Sequence, residues 1–392
     1  MTNKTAISVD DSIAMLDRLI AFDTTSRESN LALIDDVQAY LGELGIESRL
    51  THDETGKKAN LWATIGPSGV GGVVLSGHTD VVPVDGQDWS RDPFKLHRAN
   101  GRLHGRGTAD MKGFIALGLA LAPEMKRRNL KTPIHFALSY DEEVGCLGVR
   151  GLIKDVVENL PLPRAVIVGE PTSMQIIGGN KGSRNYRTVV TGIPGHSSEP
   201  HRGANAIMAG GRICAFLEDV QTDLREAADP KSDFDPPYTT IDLGLIDGGT
   251  AGNIIPEFCT IRWGMRILPS DDADAIEGRV RTFIAEEVEP RLKAVSSSAG
   301  VETIRTNMLP PLLPDTTSPA EQLLRHLTGL NQSGSVSYGT EAGLFQQAGI
   351  PGVIFGPGSI QQAHQPDEFI DVSQMESCHD FLLKLIDWAE TN

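Results

Sequence analysis

Short apolar runs that alternate with helical stretches set the tightest limit on what this 392-residue chain can fold into. Residues 61–66 and 73–77 are apolar and end in glycine, and 134–139 and 165–169 also read as strands. Residues 111–128 have helical spacing, and Ile13, Leu16 and Ile20 follow Asp10 and Asp11, acids suited to a helix N-terminus. Strands apolar along their whole length are buried on both faces. The pattern therefore predicts an α/β fold, a mostly parallel mixed sheet with helices on both faces. Ligands of such sheets bind beyond the carboxyl ends of the strands, so the residues after each run are the ones to examine.

The middle of the chain departs from this rhythm. Strands at 186–191, 239–247, 259–268 and 301–308, with helices at 204–219 and 271–291, give the order βαββαβ, a two-layer unit able to fold alone. Pro310, Pro311 and Pro314 precede a return to the first pattern. Ser318-Pro319-Ala320-Glu321 is a capping box with proline at the first helical position. Residues 353–355 resume the sheet and 372–389 form an amphipathic helix. We expect 1–180 and 310–392 to build one domain, with 181–309 inserted into it.

Composition narrows the partners. Lys and Arg number 35 against 52 Asp and Glu, and the resulting charge of −17 repels nucleic acid and anionic membranes. There is no run of about 18 apolar residues and no apolar signal core near the N-terminus, so neither a membrane span nor secretion is expected. Cys146, Cys214, Cys259 and Cys378 lie far apart with no C-x-x-C pair, which fits a reducing cytoplasm.

A metal-ligand candidate follows each trusted strand of the first pattern. After 73–77 come His78-Thr79-Asp80, where Asp80 is placed to accept the second imidazole N–H while the other nitrogen binds metal. Alone, such a pair also reads as an ordinary surface or core pair. Asp110 stands at a loop-to-helix junction, where capping is the common role and coexists with metal binding. Asp141-Glu142-Glu143 follow 134–139; alone they read as a solvated turn, but adjacent acids after a buried strand repel one another unless a cation offsets them. Glu170 follows 165–169, and His364 follows 353–355. His78, Asp110, Glu143, Glu170 and His364 give two metals three protein ligands each if Asp110 bridges. Histidine and carboxylate without thiolate favour zinc, with cobalt or manganese as competitors. Glu142, left over beside Glu143, is the candidate general base. Neither a G-x-S-x-G elbow nor a phosphate-binding loop with its lysine is present.

These motifs resemble the zinc-dependent aminoacylase and carboxypeptidase family with a co-catalytic metal pair, over nearly the whole chain. Gly77-His78-Thr79-Asp80-Val81-Val82-Pro83 is similar to its first ligand motif. The resemblance implies a homodimer through the inserted domain, acting also as a lid. It implies that His196, in Gly195-His196-Ser197-Ser198, stabilises the oxyanion from the partner subunit; alone it reads as a loop histidine. It likewise implies substrate binding by Asn253 and Arg266, the latter to a carboxylate; alone Arg266 reads as a surface strand arginine. Tyr338-Gly339-Thr340-Glu341-Ala342 and the 356–368 stretch look closer to the branch that deacetylates N2-acetyl-L-ornithine than to the desuccinylase branch. A dipeptidase and a metal-free binding relative remain as alternatives. Glu341 is a candidate partner for the substrate's distal ammonium.

Overall fold

A computed structural model describes residues 7–392. They divide into two units: one contains the chain up to Gly179 with Leu312–Gly334 and Thr340–Asn392, the other Asn180–Pro311 with Ser335–Gly339. The first strands are β1 (Ser48–His52), β2 (Ala59–Ile65), β3 (Val73–His78), β4 (His97–Ala99), β5 (Arg102–His104), β6 (Ile134–Ser139), β7 (Ala165–Val168) and β8 (Ile177–Asn180). There follow β9 (Gly182–Thr191), β10 (Thr240–Gly248), β11 (Phe258–Ile267), β12 (Gly300–Leu309), β13 (Gly334–Val336), β14 (Gly352–Ile354) and β15 (Phe369–Asp371).

The main sheet runs β1-β2-β6-β3-β7-β14-β8-β13. Its centre is parallel, because β6, β3, β7 and β14 are joined by crossovers, while β1 with β2, β2 with β6 and β14 with β8 pair antiparallel. Every residue of β3, β6 and β7 is buried, as runs without polar alternation require. On one face Leu75, Phe136 and Ile167 join a core with the helices Val9–Ile20, Lys112–Arg127 and Val372–Thr391. On the other, the helices Val149–Asn159 and Ala342–Gln347 cover the sheet. Buried Lys112 gives its ammonium to the carbonyls of Leu19 and Phe22, satisfying the end of the first helix. Among the described residues no helix is long and apolar enough to cross a membrane.

The second unit is a four-stranded antiparallel sheet, β10-β11-β9-β12, in the βαββαβ chain order expected. Burial alternates along β11, so Cys259, Ile261, Trp263, Met265 and Ile267 pack on the helices Ala206–Glu226 and Ala273–Phe283. The intervening Arg262 and Arg266 point the other way, with Asn185 and Arg187 of β9, into an open recess of the same unit. The helix expected over 271–291 is interrupted: a π-turn at Ile284–Val288 precedes a short helix with Pro290 in its first turn.

Candidate metal centre

Strand register gathers the first unit's candidates. His78 pairs with Ser139 across parallel β3 and β6, β3 runs parallel to β7, and β7 to β14. The carboxyl ends of four neighbouring strands thus lead into His78, the 141–143 acids, Glu170 and the loop that carries His364. Asp110 arrives from the opposite chain direction, just before the helix Lys112–Arg127. That helix lies close against the strand ends: a Cβ on Gly169 would stand 2.0 Å from the Phe114 ring.

Asp110 stands between the two imidazoles. Its Oδ1 is 3.0 Å from His78 Nε2, and its Oδ2 is 3.3 Å from His364 Nε2. Glu170 Oε1 lies 3.8 Å from His78 Nε2, and Glu143 Oε2 lies 3.1 Å from His364 Nε2. Two groups result, His78–Asp110–Glu170 and Asp110–Glu143–His364, each with its donor atoms within 4.8 Å of one another. They share Asp110.

The electrostatics are those of acids crowded without enough positive charge. Burial, reinforced by neighbouring carboxylates, pushes Glu142 up to about 8 and Glu143 up to about 7, and raises Glu170 well above the usual carboxyl range. Burial opposes ionisation of Asp110 too, but its bonds to His364 and His78 hold its carboxyl below the usual range. The same contacts, with Asp110 and Glu143, raise His364 to about 10. Glu143 Oε1 is buried and makes no hydrogen bond, an acceptor with a lone pair still to satisfy. This donor set fits a pair of divalent cations.

Asp80 does something other than the sequence spacing suggested. The His78 Nδ1–H donates to the Asp80 backbone carbonyl at 2.9 Å, whereas the Asp80 carboxylate is 3.7 Å away. That carboxylate accepts the N–H groups of Glu142 at 3.0 Å and Glu143 at 3.2 Å, and the Ser26 hydroxyl at 2.7 Å. It therefore fixes the acid loop, not the imidazole. Glu341 also departs from expectation. It is 1% exposed and its carboxylate accepts the hydroxyls of Ser76 and Ser139 beneath the strand ends, so it presents no group to a substrate ammonium.

Sequence reasoning missed a buried ion pair behind the centre. Arg106 donates to Glu368 Oε2 at 2.7 Å, while Glu368 Oε1 accepts the backbone N–H groups of Ala109 and Asp110. The available signal was an acid four residues beyond His364 and an arginine four before Asp110.

In the second unit, His196 and Asn253 lie on two loops that pair. His196 bridges to Ile254, and Ser197 donates its N–H to the Asn253 carbonyl at 3.1 Å. Arg266 stands apart from them on β11, exposed beside Arg262.

Residues 74–388 match peptidase family M20/M25/M40. The acetylornithine deacetylase of Myxococcus xanthus is 36% identical over 385 residues, covering 95% of this chain and 96% of that protein. The acetylornithine deacetylase of Pasteurella multocida is 34% identical, with 95% and 97% covered. Among solved structures, the M20 family metallo-carboxypeptidase Sso-CP2 of Sulfolobus solfataricus superposes with a TM-score of 0.75 at 17% identity, covering 97% of this chain and 99% of that one, a likeness of fold.

Proposed function

This chain belongs to peptidase family M20/M25/M40, and from that membership we propose that it hydrolyses the amide bond of N2-acetyl-L-ornithine to L-ornithine and acetate, a step of arginine biosynthesis. The observation that carries the reading is Asp110 shared between His78 and His364, with Glu142 beside Glu143. The names of the relatives support the choice of substrate.

We assign two zinc ions per subunit, replaceable by cobalt or manganese, because imidazole and carboxylate donors without thiolate suit these metals. His78, Asp110 and Glu170 would hold one, and Asp110, Glu143 and His364 the other. Bound there, the pair supplies Lewis-acid polarisation and an acidified water. Glu142 removes the attacking water's proton and returns it to the departing amine nitrogen. Asp80 holds Glu142 and Glu143 in place through their backbone N–H groups. His196 is assigned to the oxyanion. Its Nδ1 accepts the Ser198 N–H at 3.2 Å, which leaves Nε2–H as a donor. Arg266 is assigned to the substrate carboxylate, with Asn253 beside His196 as a further contact.

The protein is proposed to be a cytoplasmic homodimer joined through the inserted unit. β10 is an edge strand on which Leu245 and Ile246 are 61% and 57% exposed, an apolar edge suited to pairing with its copy.

The test is amine release from N2-acetyl-L-ornithine by zinc- or cobalt-loaded protein beside a chelated control. N-succinyl-diaminopimelate and N-acetylmethionine run in parallel. Chelator-sensitive turnover that prefers acetylornithine supports the proposal. Preference for either other substrate overturns the substrate assignment, and no turnover with both metal sites filled overturns the hydrolase reading.

A further inference from the structure

The backbone of Glu142 is fixed before its carboxylate is considered. Its N–H donates to Asp80 Oδ1 at 3.0 Å, and its carbonyl accepts from the N–H groups of Gly145 and Cys146, each at 2.8 Å. The loop that brings Cys146 back uses left-handed backbone at Asp141, Gly145 and Cys146, with φ of 55°, 114° and 54°. Non-glycine residues adopt this region infrequently, so residue 146 is held here by the turn and not by its own preference. The outcome is a thiol 1% exposed, with Sγ 3.2 Å from Glu142 Oε1. Burial and the adjacent carboxylate keep that thiol protonated, and it is a donor. Among the described residues no other donor reaches the Glu142 carboxylate.

Resting on the reading of Glu142 as general base, we propose that Cys146 is a positioning residue whose S–H holds Glu142 Oε1 and leaves Oε2 to exchange the proton. A glutamate side chain has three rotatable torsions, and a base acts only within hydrogen-bond reach of the proton it takes. Fixing one oxygen removes most of that freedom. A thiol suits the task because it is a weak donor: it orients the carboxylate while withdrawing little of its basicity, where a lysine or arginine would tie up the charge. The thiol keeps its own proton throughout. One proton passes from water to Oε2 and then to the amine nitrogen as the C–N bond breaks.

The experiment is steady-state kinetics on metal-loaded Cys146→Ala and Cys146→Ser, with metal content and thermal unfolding measured on both. Both replacements remain small, and serine keeps a donor at nearly the same place. Cys146→Ala lowers kcat about tenfold with KM and metal content unchanged, and Cys146→Ser stays within about threefold of the parent. In a Glu142→Asp background, where the shorter acid no longer reaches the thiol, Cys146→Ala adds no further loss. Parental kcat in Cys146→Ala, equal losses in both variants, loss of metal, or a full additional loss in the Glu142→Asp background each overturn the proposal. Full activity in Glu142→Gln is a different result: it removes the general-base reading, whatever the cysteine variants show.

Discussion

Glu368 Oε1 accepts the backbone N–H of Asp110 at 3.1 Å, so the segment just beyond His364 also fixes the carboxylate shared by the two ligand groups. The other oxygen of Glu368 is held by Arg106, and both side chains are 1% exposed. Arg106→Met would leave that carboxylate buried and unpaired, at a cost of about 3–5 kcal/mol in unfolding free energy. Because the pair orients a ligand, metal affinity should weaken by about 10- to 100-fold. Urea unfolding and titration against a competing chelator measure the two effects. Parental values in both would show that the pair supports neither the fold nor the centre.

Glu142→Gln keeps the shape of the side chain and removes its basicity. Metal content should be parental while kcat falls by about 10²- to 10⁴-fold. Metal analysis beside single-turnover kinetics separates the two quantities, and loss of metal would reassign Glu142 as a ligand.

Metal should matter more to stability as pH rises. In the metal-free chain Glu142 and Glu143 keep protons to about 8 and about 7 and His364 to about 10, all above their ordinary values. Between pH 6 and 8 the folded chain therefore binds more protons than the unfolded one, and its stability falls as pH rises through that window. Bound dications displace those protons and abolish this part of the slope. Lys112 and His135, lowered by burial to about 7 and about 4, act in the opposite direction but are common to both forms. Calorimetry should find the gap in Tm between metal-saturated and metal-free protein wider at pH 8 than at pH 6. A constant gap would contradict the assignment of the raised groups to the centre.

Leu245→Arg on the exposed edge of β10 sets like charges against each other in a strand pair related by two-fold symmetry. Sedimentation should find the parent dimeric and the variant shifted to monomer, with the fold unchanged by circular dichroism. A monomeric parent would remove the homodimer from the proposal.

The centre of the sheet was readable because burial on both faces leaves a continuous apolar run, and β3, β6 and β7 end within one residue of the expected runs. The same logic brought His78, Glu143, Glu170 and His364 into consideration, since strand ends are where α/β sheets present their side chains, while Asp110 was singled out at a loop-to-helix junction. The helices Leu31–Glu43 and Val149–Asn159 were not assigned. The second has only four buried residues, Val149, Leu152, Ile153 and Val156, in an otherwise polar stretch. Asp80 was misread because period-two spacing states which face a side chain occupies, not whether a backbone carbonyl takes the hydrogen bond first. Glu341 was misread for a related reason: a charged residue suggests solvent or ligand, and only the three-dimensional structure brings Ser76 and Ser139 to both of its oxygens.

The order of the main sheet has a consequence for how the protein is made. β14 lies between β7 and β8, yet both of those strands leave the ribosome before the whole inserted unit and β14 after it. If the sheet begins to form during synthesis, the slot beside β7 has to stay open until the second unit has been made. Closure of that slot by β8 would trap a sheet lacking its fourth parallel strand. The loop bearing His364 follows β14 directly, so the last ligand arrives with the strand that fills the slot. Pairing this distant in sequence is slow to form, and here completion of the fold and of the ligand set falls on the same late event.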